Sequence, residues 1–246
     1  ITSNTKAIVL INPNNPTGAV YERDVLEAIV ELAAEKNLMI FSDEIYDKIL
    51  YDGNKHIPIA TLNDDVFYMT FGGLSKNYRA AGFRGGWVIP SGAKHRAKSF
   101  LEGLTLLASM RLCANAPTQY AIQTALGGYQ SVNDLVAPEG RLCRQRDVIY
   151  DKLTSIPGIS CVKPKGALYL FPKIDLKLFT IENDEQFVLN LLNEQRVFVV
   201  SGKGFNHHDN AHFRIVFLPN TDILEDASKR IDSYLDEYRY RKELTT

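Results

Sequence analysis

Lys76 stands in "GGLSKNYRAAGFRGGW" (residues 72–87), a glycine-rich stretch with a second cation, Arg84, ahead of an apolar run. An amine kept neutral by desolvation or by nearby cations can condense with an aldehyde to a Schiff base. An arginine fork suits a phosphate or a carboxylate. Three further places set polar residues at the end of, or within, apolar runs: "NPNNPTG" (12–18) with Asn15, "SDEIY" (42–46) with Asp43 and Tyr46, and "HFRIVF" (212–217) with Arg214. A carboxylate beside a pyridine nitrogen keeps that nitrogen protonated and makes the ring an electron sink for a carbanion. Amide and phenol donors beside a phenolate oxygen tune the protonation of a neighbouring imine.

The elements that must position these residues follow from the hydrophobic pattern. "KAIVLI" (6–11) reads as a buried strand running into an Asn/Pro turn. "ERDVLEAIVELAAEKN" (22–37) reads as a helix with Val25, Ile29 and Leu32 on one stripe, Leu26 and Ala33 beside it, and Asn37 ending it. "LMIFSDEIY", "VFYMTFGG" and "GWVIP" read as three more strands. Strand, helix, strand is the signature of a mostly parallel α/β sheet covered on both faces. In such sheets ligands sit beyond the carboxyl ends of the strands, which gathers Asn15, Asp43, Tyr46, Ser75, Lys76 and Arg84 at one edge.

From about Ala97 the pattern turns helical, over "RAKSFLEGLTLLASM", "PTQYAIQTALGGY" and a charged, partly exposed helix stopped by Pro157–Gly158. Then come "GALYLFPKI", a helix over Glu185–Gln195, "VFVVSG", "HFRIVFLP" and a closing helix with Leu224, Ala227, Ile231, Tyr234, Leu235 and Tyr238 along one side. This second part reads as α+β. The boundary is expected near residue 130, giving a large domain over 1–130 and a smaller one over 131–246.

Net charge of −1 gives no electrostatic reason for a nucleic-acid or anionic-membrane partner. Three cysteines without CxxC spacing suit free thiols in a reducing compartment, so a cytoplasmic location is expected. The chain opens on Ile1 and enters a strand almost at once, so it is expected to begin in mid-domain. Taken singly, each candidate has an ordinary reading: an Asn/Pro turn, solvated caps at Asp43 and Glu44, a surface lysine, an edge-strand arginine. Ser91-x-x-Lys94 lacks the companion motifs of penicillin-recognising enzymes, and "GGLSK" lacks P-loop spacing. His207–His208 have no partner at metal-ligand spacing, so a solvated loop and no metal are expected.

Jointly, an aldehyde-trapping amine, a pyridine-facing carboxylate, phenolate donors and an arginine for a phosphate describe a pyridoxal 5'-phosphate site. In order and separation, "NPNNPTG", "SDEIY", "SKNYRAAGFRGGW" and "FRIVF" resemble the class I/II, fold-type I pyridoxal-phosphate aminotransferases, over essentially the whole chain. The resemblance implies that Lys76 forms the Schiff base and moves the proton, that Asp43 pairs with the pyridine nitrogen, and that Asn15 and Tyr46 hydrogen-bond the phenolic oxygen. It implies that Arg84 holds the phosphate and that Arg214, with Asn15 beside it, binds the substrate carboxylate. Many relatives carry a phosphate-binding Ser where this chain has Gly73, and Ser75 is the substitute at hand. The ring-stacking aromatic and phosphate-cradling helix of such enzymes normally lie upstream of residue 1. Within the family, "FLEGLTLLASMRLCANAPTQYAIQTALGG" is most similar to bacterial alanine (glutamate–pyruvate) aminotransferases. That implies a ping-pong exchange, L-alanine + 2-oxoglutarate = pyruvate + L-glutamate, in a homodimer. The alternatives are a carbon–sulfur β-lyase on the same scaffold and the effector-binding domain of a transcription regulator, the latter without a basic DNA-binding segment in these residues.

Overall fold

β1 (Ala7–Ile11) is followed by α1 (Arg23–Glu35), β2 (Met39–Asp43), β3 (Phe67–Gly73) and β4 (Gly86–Gly92), then α2 (Lys98–Met110) and α3 (Ala116–Gly127). This structure is a computed structural model; it describes residues 1–179, 181 and 183–245. The side chains of residues 238–245, Tyr238 of the expected closing-helix stripe among them, lie outside the described residues. The chain divides into two compact units, Ile1–Pro13 with Val20–Asn133, and Asn14–Ala19 with Asp134–Thr246.

In the first unit the strands form one sheet in the order β1-β2-β3-β4. β1, β2 and β3 are parallel and β4 returns antiparallel to β3. The fold is thus α/β with a mixed, mostly parallel sheet. Leu26, Val30 and Ala33 of α1 pack on Leu10, Ile40 and Tyr68 on one face. On the other, Leu101 and Leu104 of α2, and Phe41 of β2, pack against the cluster of Phe67, Met69 and Ala97. The cover is incomplete at the edge strands, where Val9 and Ile89 remain exposed.

The buried stripe of α1 corrects the sequence reading. Val25 and Leu32 are 42% and 38% exposed, and the inward row is Leu26, Val30 and Ala33. Both rows have helical spacing; the small side chain of Ala33 lets the last turn approach the sheet, which the bulkier Leu32 would hold off. Asn37 does end the helix, in the left-handed conformation at φ 52, and the Leu38 N–H donates to the Ala33 carbonyl at 2.8 Å.

In the second unit, α4 (Val132–Val136) straddles the division, and α5 (Arg141–Thr154) packs against α7 (Thr221–Thr245). Between them lie β5 (Ile159–Ser160), β6 (Tyr169–Leu170), β7 (Lys173–Ile174), α6 (Asp184–Gln195), β8 (Val200–Ser201) and β9 (Phe213–Val216). β5 pairs with β7, and β6-β9-β8 form a small antiparallel sheet. Leu224, Ile231, Tyr234 and Leu235 of α7 are buried. α5 is less exposed than its charge suggests, because Arg146 is buried whole, donating to the Pro164 carbonyl at 3.2 Å and pairing with Asp147 at 2.7 Å.

Candidate active site

Because β2 and β3 run parallel, their carboxyl ends meet at one edge of the sheet. β4 starts at Gly86 opposite Gly73, so Arg84, just before it, returns to that edge. Backbone bonds stitch the edge together: Asn12 N–H to Asp43 O at 3.0 Å, Glu44 N–H to Phe71 O at 3.0 Å, and Leu74 N–H to Gly85 O at 3.0 Å. The loop after β3 is closed by Ala80 N–H to Leu74 O and Arg79 N–H to Lys76 O, both 3.0 Å. Lys76 is half-buried in that loop, with Nζ 5.8 Å from the centre of the Tyr46 ring. Among the described residues no hydrogen bond or ion pair engages the amine. Its neighbour Asn77 is buried and donates to Asp47.

Asp43 closes β2, half-buried, and its Oδ1 accepts from the Ile45 N–H at 3.1 Å. Glu44, the other acid of "SDEIY", corrects the solvated-cap reading. It is buried, accepting from Ser42 Oγ at 3.0 Å and the Ile59 N–H at 3.4 Å, and meeting His56 Nε2 at 2.8 Å. Its role is to tie β2 to the segment at 56–59, which takes it out of the chemistry.

Arg84 is exposed, in the left-handed conformation at φ 54, with Nη1 donating to Ala81 O at 2.8 Å. The start of α3 pins its segment: the buried Thr118 hydroxyl donates to Phe83 O at 2.7 Å. A Cβ on Gly85 would fall 2.2 Å from Thr118 Cγ2, so no side chain fits there. Thr118 therefore positions Arg84, and nothing in the local sequence signals it. At Gly73 a Cβ would come within 3.1 Å of Gly85 O and 3.2 Å of Ile45 Cδ1, a tight place for a serine. Ser75 is half-buried, immediately before Lys76.

Arg214 and Asn15 belong to the second unit. β9 presents Arg214, whose guanidinium lies between two rings, 4.6 Å from the centre of Tyr169 and 4.7 Å from that of Phe205. Nη1 donates to Asn15 Oδ1 at 2.9 Å. Nε is buried and has no partner among the described residues. The 14–19 turn that holds Asn15 is closed by Asn14 N–H to Ala19 O at 2.8 Å. It is fixed by Lys165 and Gly166 N–H groups donating to Gly18 O at 3.0 and 2.9 Å. Gly18 is at φ 70, and a Cβ there would meet Pro164 at 2.5 Å. The structure thus brings Asn15 to Arg214 in one unit, and brings Lys76 to Tyr46 in the other, where Asp43, Ser75 and Arg84 share the sheet edge. Tyr169 and Phe205 were not found from sequence, because an aromatic in a short strand or turn carries no mark of the cation it will cover.

An arginine close to two rings, anchored on one nitrogen and with a buried donor unpartnered among the described residues, can receive a planar anion. An unengaged lysine near a phenol, with an acid and a second cation along one strand edge, is a setting for amine chemistry.

The sequence profile described as aminotransferase class I and II matches residues 1–231. The glutamate-pyruvate aminotransferase AlaA of Haemophilus influenzae is 59% identical over 239 residues, 97% of this chain and 59% of that protein. A solved aminotransferase from Escherichia coli superposes with a TM-score of 0.95 at 54% identity, covering 97% of this chain and 59% of that one. The alanine aminotransferase from Pyrococcus furiosus does so with a TM-score of 0.90 at 42% identity, over 96% of this chain and 59% of its own. This chain therefore spans about three fifths of the length of the relatives it matches. By profile, identity and fold, the chain belongs to the class I and II aminotransferases.

Proposed function

We propose that the intact protein carrying this chain transfers an amino group between an L-amino acid and a 2-oxo acid with pyridoxal 5'-phosphate. The reaction would be L-alanine + 2-oxoglutarate = pyruvate + L-glutamate, by a ping-pong exchange. The observation that carries this reading is the Arg214 guanidinium, held between Tyr169 and Phe205 with a buried Nε still to be satisfied. A buried unpaired donor is costly, and a carboxylate supplies the missing acceptor. The alanine and glutamate–pyruvate names of the relatives supply the substrate pair.

Pyridoxal phosphate fits the residues present: the unengaged Lys76 amine, the Asp43 carboxylate, the Tyr46 phenol and the Arg84 guanidinium supply the donor set it needs. When bound, it supplies an electron sink that acidifies the substrate's Cα–H bond. Asp43 would hold the ring nitrogen and favour its protonated form. Tyr46 and Asn15 would be the donors for the phenolic oxygen. Arg84 holds the phosphate, with Ser75 contributing where Gly73 has no side chain to offer. Lys76 would be the residue that anchors the cofactor, and its amine would be the base for the proton at the substrate's Cα. Arg214 holds the α-carboxylate of each substrate in turn, so one fork serves both half-reactions. On this reading residues 1–130 contribute the cofactor-binding domain and 131–246 the smaller domain. We further propose a homodimer and, from three free thiols, a cytoplasmic setting.

The test is a spectral titration of the intact protein with L-alanine, L-glutamate and a cysteine conjugate, beside Lys76→Ala. The near-visible cofactor band should be lost in Lys76→Ala and should bleach with alanine and glutamate in the parent protein. A normal band in Lys76→Ala overturns the assignment of the lysine. Pyruvate release from the cysteine conjugate, without bleaching by alanine, overturns the aminotransferase reading in favour of a lyase.

A further inference from the structure

The loop 206–212, between the turn Gly202–Phe205 and β9, closes into a cluster with no part in the chemistry above. His207 Nδ1 lies 3.0 Å from Asp209 Oδ1, and His212 Nδ1 lies 2.5 Å from the same oxygen. Ligand atoms of all three side chains fall within 4.8 Å of one another. His207 does lie exposed in a loop, as expected, but it has the partners that the sequence reading did not give it. Its partners are two and five residues on, a spacing that no regular element supplies and that the turn of the loop makes.

We propose that His207, Asp209 and His212 form a binding site for a divalent transition-metal ion of the zinc type. The rings are set by packing: His212 stacks on Phe171 at 4.9 Å and 18°, and His207 meets Phe171 edge-on at 5.4 Å. The two imidazole centres are 4.2 Å apart. Both ends of the loop are fastened, by Gly202 N–H to His212 O at 2.7 Å and His207 N–H to Gly202 O at 3.2 Å. Lys173 takes the other carboxylate oxygen, Oδ2, at 3.0 Å, leaving Oδ1 facing the two imidazoles.

Two imidazole nitrogens and one carboxylate select Zn²⁺, Ni²⁺ or Cu²⁺ over Mg²⁺ and Ca²⁺, which take mainly oxygen ligands. Zn–N and Zn–O bonds of about 2.0–2.2 Å set tetrahedral ligands roughly 3.3 Å apart. The present contacts of 2.5 and 3.0 Å need open by less than an ångström. The ion takes the place of the protons that now bridge the three groups. Three protein ligands leave a position for water, so the site is open and exchangeable.

The experiment uses the intact protein after chelator treatment, with the exposed thiol removed by Cys113→Ser. Co²⁺ is titrated by visible absorption and Zn²⁺ by calorimetry. Expected are one ion per chain with cobalt bands of a four-coordinate site, affinity at least about tenfold weaker in His207→Asn and in Asp209→Asn, and no change in His208→Asn. His207 and Asp209 are partly exposed, so both variants should melt like the parent without metal; a variant that does not fold leaves the other, and the cobalt spectrum of the parent, to decide. Absence of cobalt bands, or equal affinity in parent, His207→Asn and Asp209→Asn, overturns the site.

Discussion

Replacing Arg214 with lysine keeps the charge and removes the fork. In the folded chain the guanidinium does three things: it fills the space between Tyr169 and Phe205, it donates to Asn15, and it keeps Nε free. An ammonium can retain part of the cation–π attraction, but it cannot offer two parallel donors to a carboxylate. Losing one charge-assisted hydrogen bond costs about 1.5–3 kcal/mol, which is roughly a 10- to 150-fold weaker hold on the substrate. On the proposed role the carboxylate would be held alike in ground and transition states, so the loss would fall on binding and not on the maximal rate. The assay is a stopped-flow half-reaction with L-glutamate, followed in the cofactor absorption and fitted for dissociation constant and limiting rate separately. Arg214→Lys should raise the dissociation constant 10- to 150-fold, about as stated, and change the limiting rate by less than about threefold. Unaltered glutamate binding together with weakened cofactor binding would refute the reasoning, since it would put Arg214 on the wrong partner.

Other consequences concern stability and are read by denaturant unfolding. Burial, the largest influence on the Asp47 carboxyl, raises it above its ordinary value against the opposing pull of Asn77 and His56. A raised carboxyl stabilises the fold only in acid, below the unfolded value near 3.8, and that contribution is lost as pH climbs through the folded value. Asp47→Asn should therefore gain stability over the parent at pH 7 and not at about pH 4; a variant less stable at pH 7 contradicts this. Glu44→Ala strands Ser42, His56 and the Ile59 N–H and should cost about 3–5 kcal/mol, whereas a loss under about 1 kcal/mol would mean water replaces the carboxylate. Gly92, at φ 68, would place a Cβ 1.9 Å from Val66 O, while Gly53, at φ 72, has open space around it. Gly92→Ala should cost about 2–5 kcal/mol and Gly53→Ala only about 1–2; equal costs would show that the contact at Val66 relaxes.

Much of the first unit was legible before any coordinates, because buried parallel strands leave continuous apolar runs and β1, β2 and β3 each leave one. The order of Asn15, Asp43, Tyr46, Lys76 and Arg84 was legible for the same reason: each stands at a strand end or within four residues of one. What escaped was set by neighbours distant in sequence. Either stripe of α1 satisfies a helical period, and only the sheet decides that Ala33 faces in. Glu44 resembles a solvated cap until His56 and Ile59 close over it. The rings beside Arg214 and the hydroxyl beneath Arg84 come from Tyr169, Phe205 and Thr118, far from the residues they serve. The two-residue strand β5 and the short α4 are too brief to leave a period at all.

Trp87 is the single tryptophan of this chain, and β4 lays its indole against Gly72, where a Cβ would be 2.5 Å from Nε1. That glycine is four residues before Lys76 in sequence, so the chain carries a native fluorophore on the strand pair from which the Lys76 loop leaves. A ligand absorbing near 400 nm, about where tryptophan emission tails off, would quench it by resonance energy transfer. Loading of the site in this chain can then be followed in its own luminescence, with no label attached.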